Sequence, residues 1–213
     1  MERQQIIRKI LDHKIVAVIR MEDANKLLNV VDAIYKGGVD IIEITMTVPG
    51  AINLIEKTAE KFGDSVLIGV GSVLKKETAQ DAINAGAKFV VSPIFKEEII
   101  DLVHKNNLPA FPGCFTPTEI YKAYESGAEI IKVFPADILG MQFIKAVKAP
   151  IPEINLMPTG GVTLSNIKDW IQAGACAVGI GTALLDKTAI KENNYQLLTE
   201  NAQKALENLK NIN

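Results

Sequence analysis

A lysine stands inside an apolar run, Ile130-Ile131-Lys132-Val133-Phe134-Pro135-Ala136, that otherwise reads as a strand buried on both faces. Burial disfavours the charged form of an amine and lowers its pKa, which leaves a neutral nucleophile able to attack a carbonyl and form a Schiff base. The competing reading is a lysine at a strand end, its stem over apolar neighbours and its head in water. Four further side chains have the types and positions to work with such an amine. Glu43 lies in Ile41-Ile42-Glu43-Ile44-Thr45 and, by the two-residue alternation of a strand, shares a face with Ile41 and Thr45. Lys132 groups in the same way with Ile130 and Phe134. Arg20 follows Val16 and Val18 on one face, Ser72 follows Ile68 and Val70, and Thr159 follows Asn155 and Met157. Each has a purely structural alternative: Glu43 as an ion-pair partner neutralising Lys132, Arg20 as a cap on a neighbouring loop, Ser72 and Thr159 as helix N-caps.

A second set of residues suits an anion. Pro158-Thr159-Gly160-Gly161-Val162 and Gly179-Ile180-Gly181-Thr182-Ala183 put glycines where backbone N–H groups can come close to a phosphate. Tight turns alone would also use these glycines.

Such side chains need a scaffold that brings strand ends together. Apolar β-type runs recur at residues 15–19, 41–44, 66–70, 89–91, 110–111, 130–134, 154–157 and 177–180. Segments of helical character separate them, at 24–35, 51–62, 78–85, 97–106, 117–125, 143–147 and 165–173. Units repeating at about 25 residues predict an α/β fold, a (β/α)₈ TIM barrel at the small end of its size range, spanning residues 1–213 as one domain. A doubly wound open sheet is the alternative. Gly37-Gly38-Val39-Asp40, Ala85-Gly86-Ala87-Lys88, Ser126-Gly127-Ala128-Glu129 and Ala173-Gly174-Ala175-Cys176 each end a helix and open an even-numbered strand. This weak repeat favours closure, although shared cap chemistry would also produce it. Ile6, Ile7, Ile10 and Leu11 fall at helical spacing and predict an extra N-terminal helix packed on the domain. In a barrel the chemistry sits where strands end, and the loops after strands seven and eight form the usual phosphate site. Glu43, Lys132, Arg20, Ser72 and Thr159 then converge at one mouth, beside Gly160, Gly161, Gly181 and Thr182.

Composition narrows the partners. With 23 basic against 25 acidic residues and a net charge of −2, the chain has no electrostatic reason to bind nucleic acid or an anionic membrane. No apolar run approaches the roughly 20 residues of a spanning helix, and the N-terminus lacks an apolar signal core. Cys114 and Cys176 make neither a metal-ligand nor a CxxC pattern, so a reduced cytoplasmic setting is expected. The two histidines, His13 and His104, fall in helices away from the mouth. No metal is expected, which counts against metal-dependent phosphosugar epimerases on the same fold.

From Lys14 to Leu185 the chain resembles the 2-keto-3-deoxy-6-phosphogluconate (KDPG) and 4-hydroxy-2-oxoglutarate (KHG) aldolases. The motifs that carry the resemblance are Gly38-Val39-Asp40-Ile41-Ile42-Glu43-Ile44-Thr45, Gly69-Val70-Gly71-Ser72-Val73-Leu74, Val91-Ser92-Pro93, Phe111-Pro112-Gly113, Ile131-Lys132-Val133-Phe134-Pro135-Ala136 and Pro158-Thr159-Gly160-Gly161-Val162. The resemblance implies a class I lyase on a homotrimeric barrel, acting without a cofactor on a small phosphorylated 2-oxo acid, in the Entner-Doudoroff type of carbohydrate breakdown. It implies Lys132 as the Schiff-base residue, Glu43 as general acid and base, Ser72 near the substrate carboxylate, Thr159 at its hydroxyls, and Gly160, Gly161 and Thr182 at its phosphate. One position departs from the pattern: many members carry the carboxylate-binding arginine just after strand two, where this chain has Thr47. Others place it at the end of strand one, where this chain has Arg20. A galactonate-specific aldolase and a non-enzymatic phosphate-binding barrel remain as alternatives.

Overall fold

The computed structural model describes residues 1–210. In chain order the elements are α1 (Arg3–His13), β1 (Ile15–Ile19), α2 (Leu27–Lys36), β2 (Ile41–Thr45), α3 (Ala51–Phe62), β3 (Leu67–Gly71), α4 (Lys76–Asn84), β4 (Val90–Val91) and α5 (Glu97–Lys105). They continue with β5 (Ala110–Phe111), β6 (Gly113–Cys114), α6 (Pro117–Glu125), β7 (Ile131–Val133), α7 (Ala136–Lys148), β8 (Leu156–Pro158), α8 (Ile167–Gln172), β9 (Val178–Ile180), α9 (Lys187–Lys191) and α10 (Tyr195–Lys210). All strands are short, parallel and buried, with helices between them, the pattern expected of apolar runs covered on both faces.

Two sheets form, ordered β5-β4-β3-β2-β1-β9 and β6-β7-β8. The first junction falls at Pro112, whose missing N–H separates β5, the predicted fifth strand at 110–111, from β6, a two-residue strand that the apolar pattern does not show. Its carbonyl still accepts from the Lys132 N–H at 2.9 Å. At the second junction Thr159 bridges to Gly179, and the Cys176 N–H donates to the Leu156 carbonyl at 2.9 Å. The result is a curled parallel sheet surrounded by ten α-helices among the described residues.

The expected N-terminal helix is α1, which buries Ile6, Ile7 and Ile10. It is tied by ion pairs from Lys9 to Asp40 at 2.8 Å and from Arg3 to Glu129. Asp40 lies one residue before β2 and Glu129 two before β7, so α1 lies across the N-terminal ends of the strands, opposite the predicted mouth. His13 and His104 also belong to that far end, 2.7 Å from Asp40 and 3.5 Å from Glu129 respectively.

Two expectations need correction. Helix 143–147 is α7, which begins at Ala136; Gly140, at φ 71° and ψ 173°, breaks its periodicity and hid the first turn. The C-terminal α10 was not anticipated. It buries Leu198, Ala202 and Ala205 against α2 and α8, the Thr199 hydroxyl donating to the Ala33 carbonyl at 2.9 Å. The four-fold glycine repeat is shared cap chemistry. Gly38, Gly86, Gly127 and Gly174 all take positive φ, but Asn107 (φ 55°) closes α5 with the same hydrogen bonds, so the motif is not confined to alternate helices.

Candidate active site

Glu43 is 0 % exposed and Lys132 4 %, and the Lys132 Nζ lies 3.9 Å from Glu43 Oε1. β2 and β7 hold them. Glu43 stands in register with Val18 and Gly69, and Lys132 with Gly113 and Met157. The strands around them are cut back to make room. A Cβ on Gly71 would lie 1.8 Å from Glu43 Oε1, and one on Gly69 would strike the Phe89 ring. Gly71→Ala is therefore expected to destabilise the fold by about 1–3 kcal/mol, the usual cost of overpacking. Urea unfolding checks this, and an unchanged midpoint would mean that the carboxylate swings aside freely.

Neither Glu43 oxygen accepts a hydrogen bond from the described residues. Burial pushes its pKa above the ordinary carboxylate value, and the nearby positive charges of Lys132 and then Arg20 pull it back only in part. A carboxyl group so placed can hold or release a proton nearer neutrality than an exposed one. The Lys132 ammonium also lies 5.1 Å from the centre of the Phe134 ring.

Arg20 is exposed at the first position after β1, yet close enough for its charge to act on Glu43. Its backbone is held by a hydroxyl chain: Thr45 Oγ1 donates to the Ile19 carbonyl at 2.9 Å and lies 2.7 Å from Thr47 Oγ1. The strand ends that carry Arg20 and Thr47 are thus fastened together.

Ser72 follows β3 with φ 59°, a left-handed backbone uncommon in a residue with a side chain. It is not a helix cap, since the N-cap of α4 is Lys75. Thr159 is likewise no cap, because Asn166 precedes α8. Its Oγ1 is buried without a hydrogen-bond partner among the described residues and sits 2.3 Å from where a Cβ on Gly179 would be, so glycine is required there. Gly160 and Gly161 take φ of 104° and 70°, and the Asn166 amide donates to the Gly161 carbonyl at 2.9 Å. After β9, Gly181 approaches the Val18 carbonyl closely and Thr182 is exposed in a turn closed by the Leu184 and Leu185 N–H groups on the Gly181 carbonyl.

Sequence reasoning missed Thr45, Gly71, Phe134 and Asp137 as parts of this region. Asp137 packs on the 160–161 turn, its Oδ1 2.9 Å from the position of a Gly160 Cβ. Phe134 was legible from its spacing, sharing a face with Lys132, whereas Asp137 follows only from the way α7 returns over the turn. A surface depression of about 560 Å³ lies along the β2–α3 connection from Met46 to Asn53 and does not include the Lys132–Glu43 pair. Cys114 and Cys176 are free, burial pushing both thiols up to about 12, so neither competes with Lys132 as a nucleophile. Among the described residues no three His, Cys, Asp or Glu side chains gather as a metal cluster, and no helix is long and apolar enough to cross a membrane.

Fold and site together define an α/β protein of parallel strands that encloses a facing amine and carboxyl group in a curled sheet, with glycine turns at the same strand ends. The chain belongs to the KDPG and KHG aldolase family, a family of lyases, whose sequence model matches residues 6–201. It is 35 % identical over 171 residues to a 2-dehydro-3-deoxy-6-phosphogalactonate aldolase of Escherichia coli, covering 80 % of this chain and 83 % of that one. It is also 35 % identical to a 2-dehydro-3-deoxy-phosphogluconate aldolase of Haemophilus influenzae, covering 90 % and 91 %. The crystal structure of a KDPG aldolase from Legionella pneumophila, with pyruvate captured as a covalent carbinolamine, superposes with a TM-score of 0.87 at 28 % identity, covering 94 % of this chain and 98 % of that one.

Proposed function

We propose that the chain is a class I aldolase that cleaves 2-keto-3-deoxy-6-phosphogluconate to pyruvate and glyceraldehyde 3-phosphate, and 4-hydroxy-2-oxoglutarate to pyruvate and glyoxylate. The observation that carries this reading is the buried Lys132–Glu43 pair at 3.9 Å. Lys132 attacks the C2 ketone, and loss of water leaves an iminium ion. Glu43 takes the C4 hydroxyl proton, the C3–C4 bond breaks, and its electrons flow through the iminium to give an enamine. The aldehyde leaves, Glu43 returns its proton to C3, and hydrolysis frees pyruvate and the amine. A carboxyl group whose pKa is raised by burial suits both proton transfers.

In this reading the two sheets act as one eight-stranded (β/α)₈ barrel in a single domain, closed at Pro112 and through the Thr159–Gly179 bridge. Arg20 and Ser72 hold the substrate carboxylate, Thr159 meets its hydroxyls, and Gly160, Gly161, Gly181 and Thr182 receive its phosphate. No cofactor takes part, the protein works in the cytoplasm, and the assembly is a homotrimer. Arg20→Ala is expected to raise the pyruvate concentration needed for half-saturation by about tenfold, the scale of a lost charge-assisted hydrogen bond. An unchanged saturation curve would move the carboxylate site toward Thr47.

Trapping with borohydride in the presence of pyruvate tests the reaction class: a stable adduct on Lys132 supports the lyase, and no adduct at saturating pyruvate leaves a phosphate-binding barrel in its place. The alternative reading is an aldolase for 2-keto-3-deoxy-6-phosphogalactonate, supported by the 35 % identity to the galactonate enzyme, which equals that to the gluconate enzyme of Haemophilus influenzae. Relative kcat/KM on the two sugar acids decides between them, since they differ only in hydroxyl stereochemistry.

A further inference from the structure

Building on the Schiff-base reading, we propose that the face of Phe134 is the permanent partner of positive charge on the Lys132 nitrogen, stabilising the cationic adduct with a 2-oxo acid through a cation–π contact. Lys132 and Phe134 are two residues apart, and the Phe134 N–H donates to the Cys114 carbonyl at 3.1 Å, so the chain stays paired past the end of β7 and the two side chains share one face. The nitrogen lies 5.1 Å from the ring centre, inside the roughly 6 Å range of such contacts. With Lys132 4 % exposed, little water competes.

The other charge partner in reach is Glu43, at 3.9 Å. That carboxyl group cannot be a constant one. It must pick up a proton during the proposed cycle, and burial already favours its neutral form. When Glu43 is protonated it offers the nitrogen a weak dipole, whereas the negative face of an aromatic ring does not titrate. Phe134 makes no bond and moves no proton. As the amine adds to the ketone and the carbinolamine loses water, the nitrogen gains its positive charge in the double bond to C2, and the ring face lowers the energy of that ion. Its effect belongs to the population of the iminium, and the proton transfers remain with Glu43.

Fluorination tests this with only a small increase in the size of the ring. In the full chain, Phe134 is replaced by 4-fluoro-, 3,5-difluoro- and pentafluorophenylalanine, which progressively withdraw electron density from the ring face. The pyruvate concentration that half-saturates borohydride trapping is then measured. It is expected to rise with each step, by about five- to tenfold in the pentafluoro protein. Phe134→Leu should show a rise at least as large, and Phe134→Tyr should restore the original curve. A packing role would respond to leucine but leave the fluorinated series flat, and a flat series overturns the inference. The absence of any adduct in the unsubstituted protein is a different result, removing the Schiff-base reading itself.

Discussion

Replacing Lys132 with methionine is expected to abolish the borohydride-trapped pyruvate adduct and to lower turnover by about 10⁴-fold or more, the scale on which loss of a covalent nucleophile acts. Methionine matches the length and most of the volume of the lysine stem, so packing inside the sheet changes little. The electrostatic change is large. Glu43, fully buried and accepting no hydrogen bond from the described residues, loses the stronger of the two positive influences that oppose its desolvation. Its pKa, already above the ordinary 4.5, rises further. A carboxyl group that binds its proton more tightly folded than unfolded stabilises the fold at low pH, and that contribution declines as pH climbs from about 4.5 through the folded value. Lys132→Met should therefore lose more stability between acid and neutral pH than the unsubstituted protein does, measured as urea midpoints across that interval. Lys132→Arg separates the two roles, because a guanidinium keeps the charge but cannot become the neutral amine. It should lack the adduct while recovering part of the neutral-pH stability. An adduct retained in Lys132→Met would place the Schiff base on another residue.

The elements that could be read from the sequence are those whose boundaries are set by local chemistry. β1, α3 and α6 fall where apolar periodicity and caps predict them; Thr116 and Glu119 close a capping box at the start of α6. Misreadings have tertiary causes. Pro112 ends the fifth apolar run, and the short β6 beyond it, Gly113–Cys114, has no apolar pattern of its own, while Gly140 interrupts a helix that packing nevertheless holds together. The C-terminal helix was legible in principle, since Leu198, Ala202, Ala205 and Leu209 keep helical spacing. At the site, alternation alone placed Glu43 and Lys132 on inward faces, and the structure brings them to 3.9 Å. What alternation could not supply is the space between them. The empty position at Gly71 leaves room for the carboxylate from the neighbouring strand, as the one at Gly69 does for the Phe89 ring, and only the parallel register of β2 with β3 reveals the first. The same holds for Thr159 and Gly179, distant in sequence and joined by the bridge at the second sheet junction.

Glu43→Gln divides the proposed cycle at its proton transfers. Glutamine keeps the shape of the side chain but cannot exchange a proton at the required pKa, so the variant should still form the trapped adduct at saturating pyruvate. Turnover should fall by about 10²- to 10⁴-fold, the contribution of a positioned general acid or base. Because one carboxyl group is assigned both the C4 hydroxyl proton and the proton at C3, two reactions should fail together. Cleavage of the sugar acid and exchange of the pyruvate methyl protons with deuterated water both pass through the enamine, and both lose their proton carrier. Loss of cleavage with normal exchange would assign C3 to a different acid, for which no second carboxylate stands on the inner face beside Lys132 among the described residues. Full turnover would take Glu43 out of the chemistry and leave it as the counter-charge that lets a lysine be buried. The amide also removes that counter-charge, so Lys132 in the variant relies on the Phe134 face alone among the contacts its nitrogen makes. Combined with pentafluorophenylalanine at position 134, Glu43→Gln should weaken pyruvate trapping by more than the product of the single effects, because each partner of the iminium charge matters most when the other is gone.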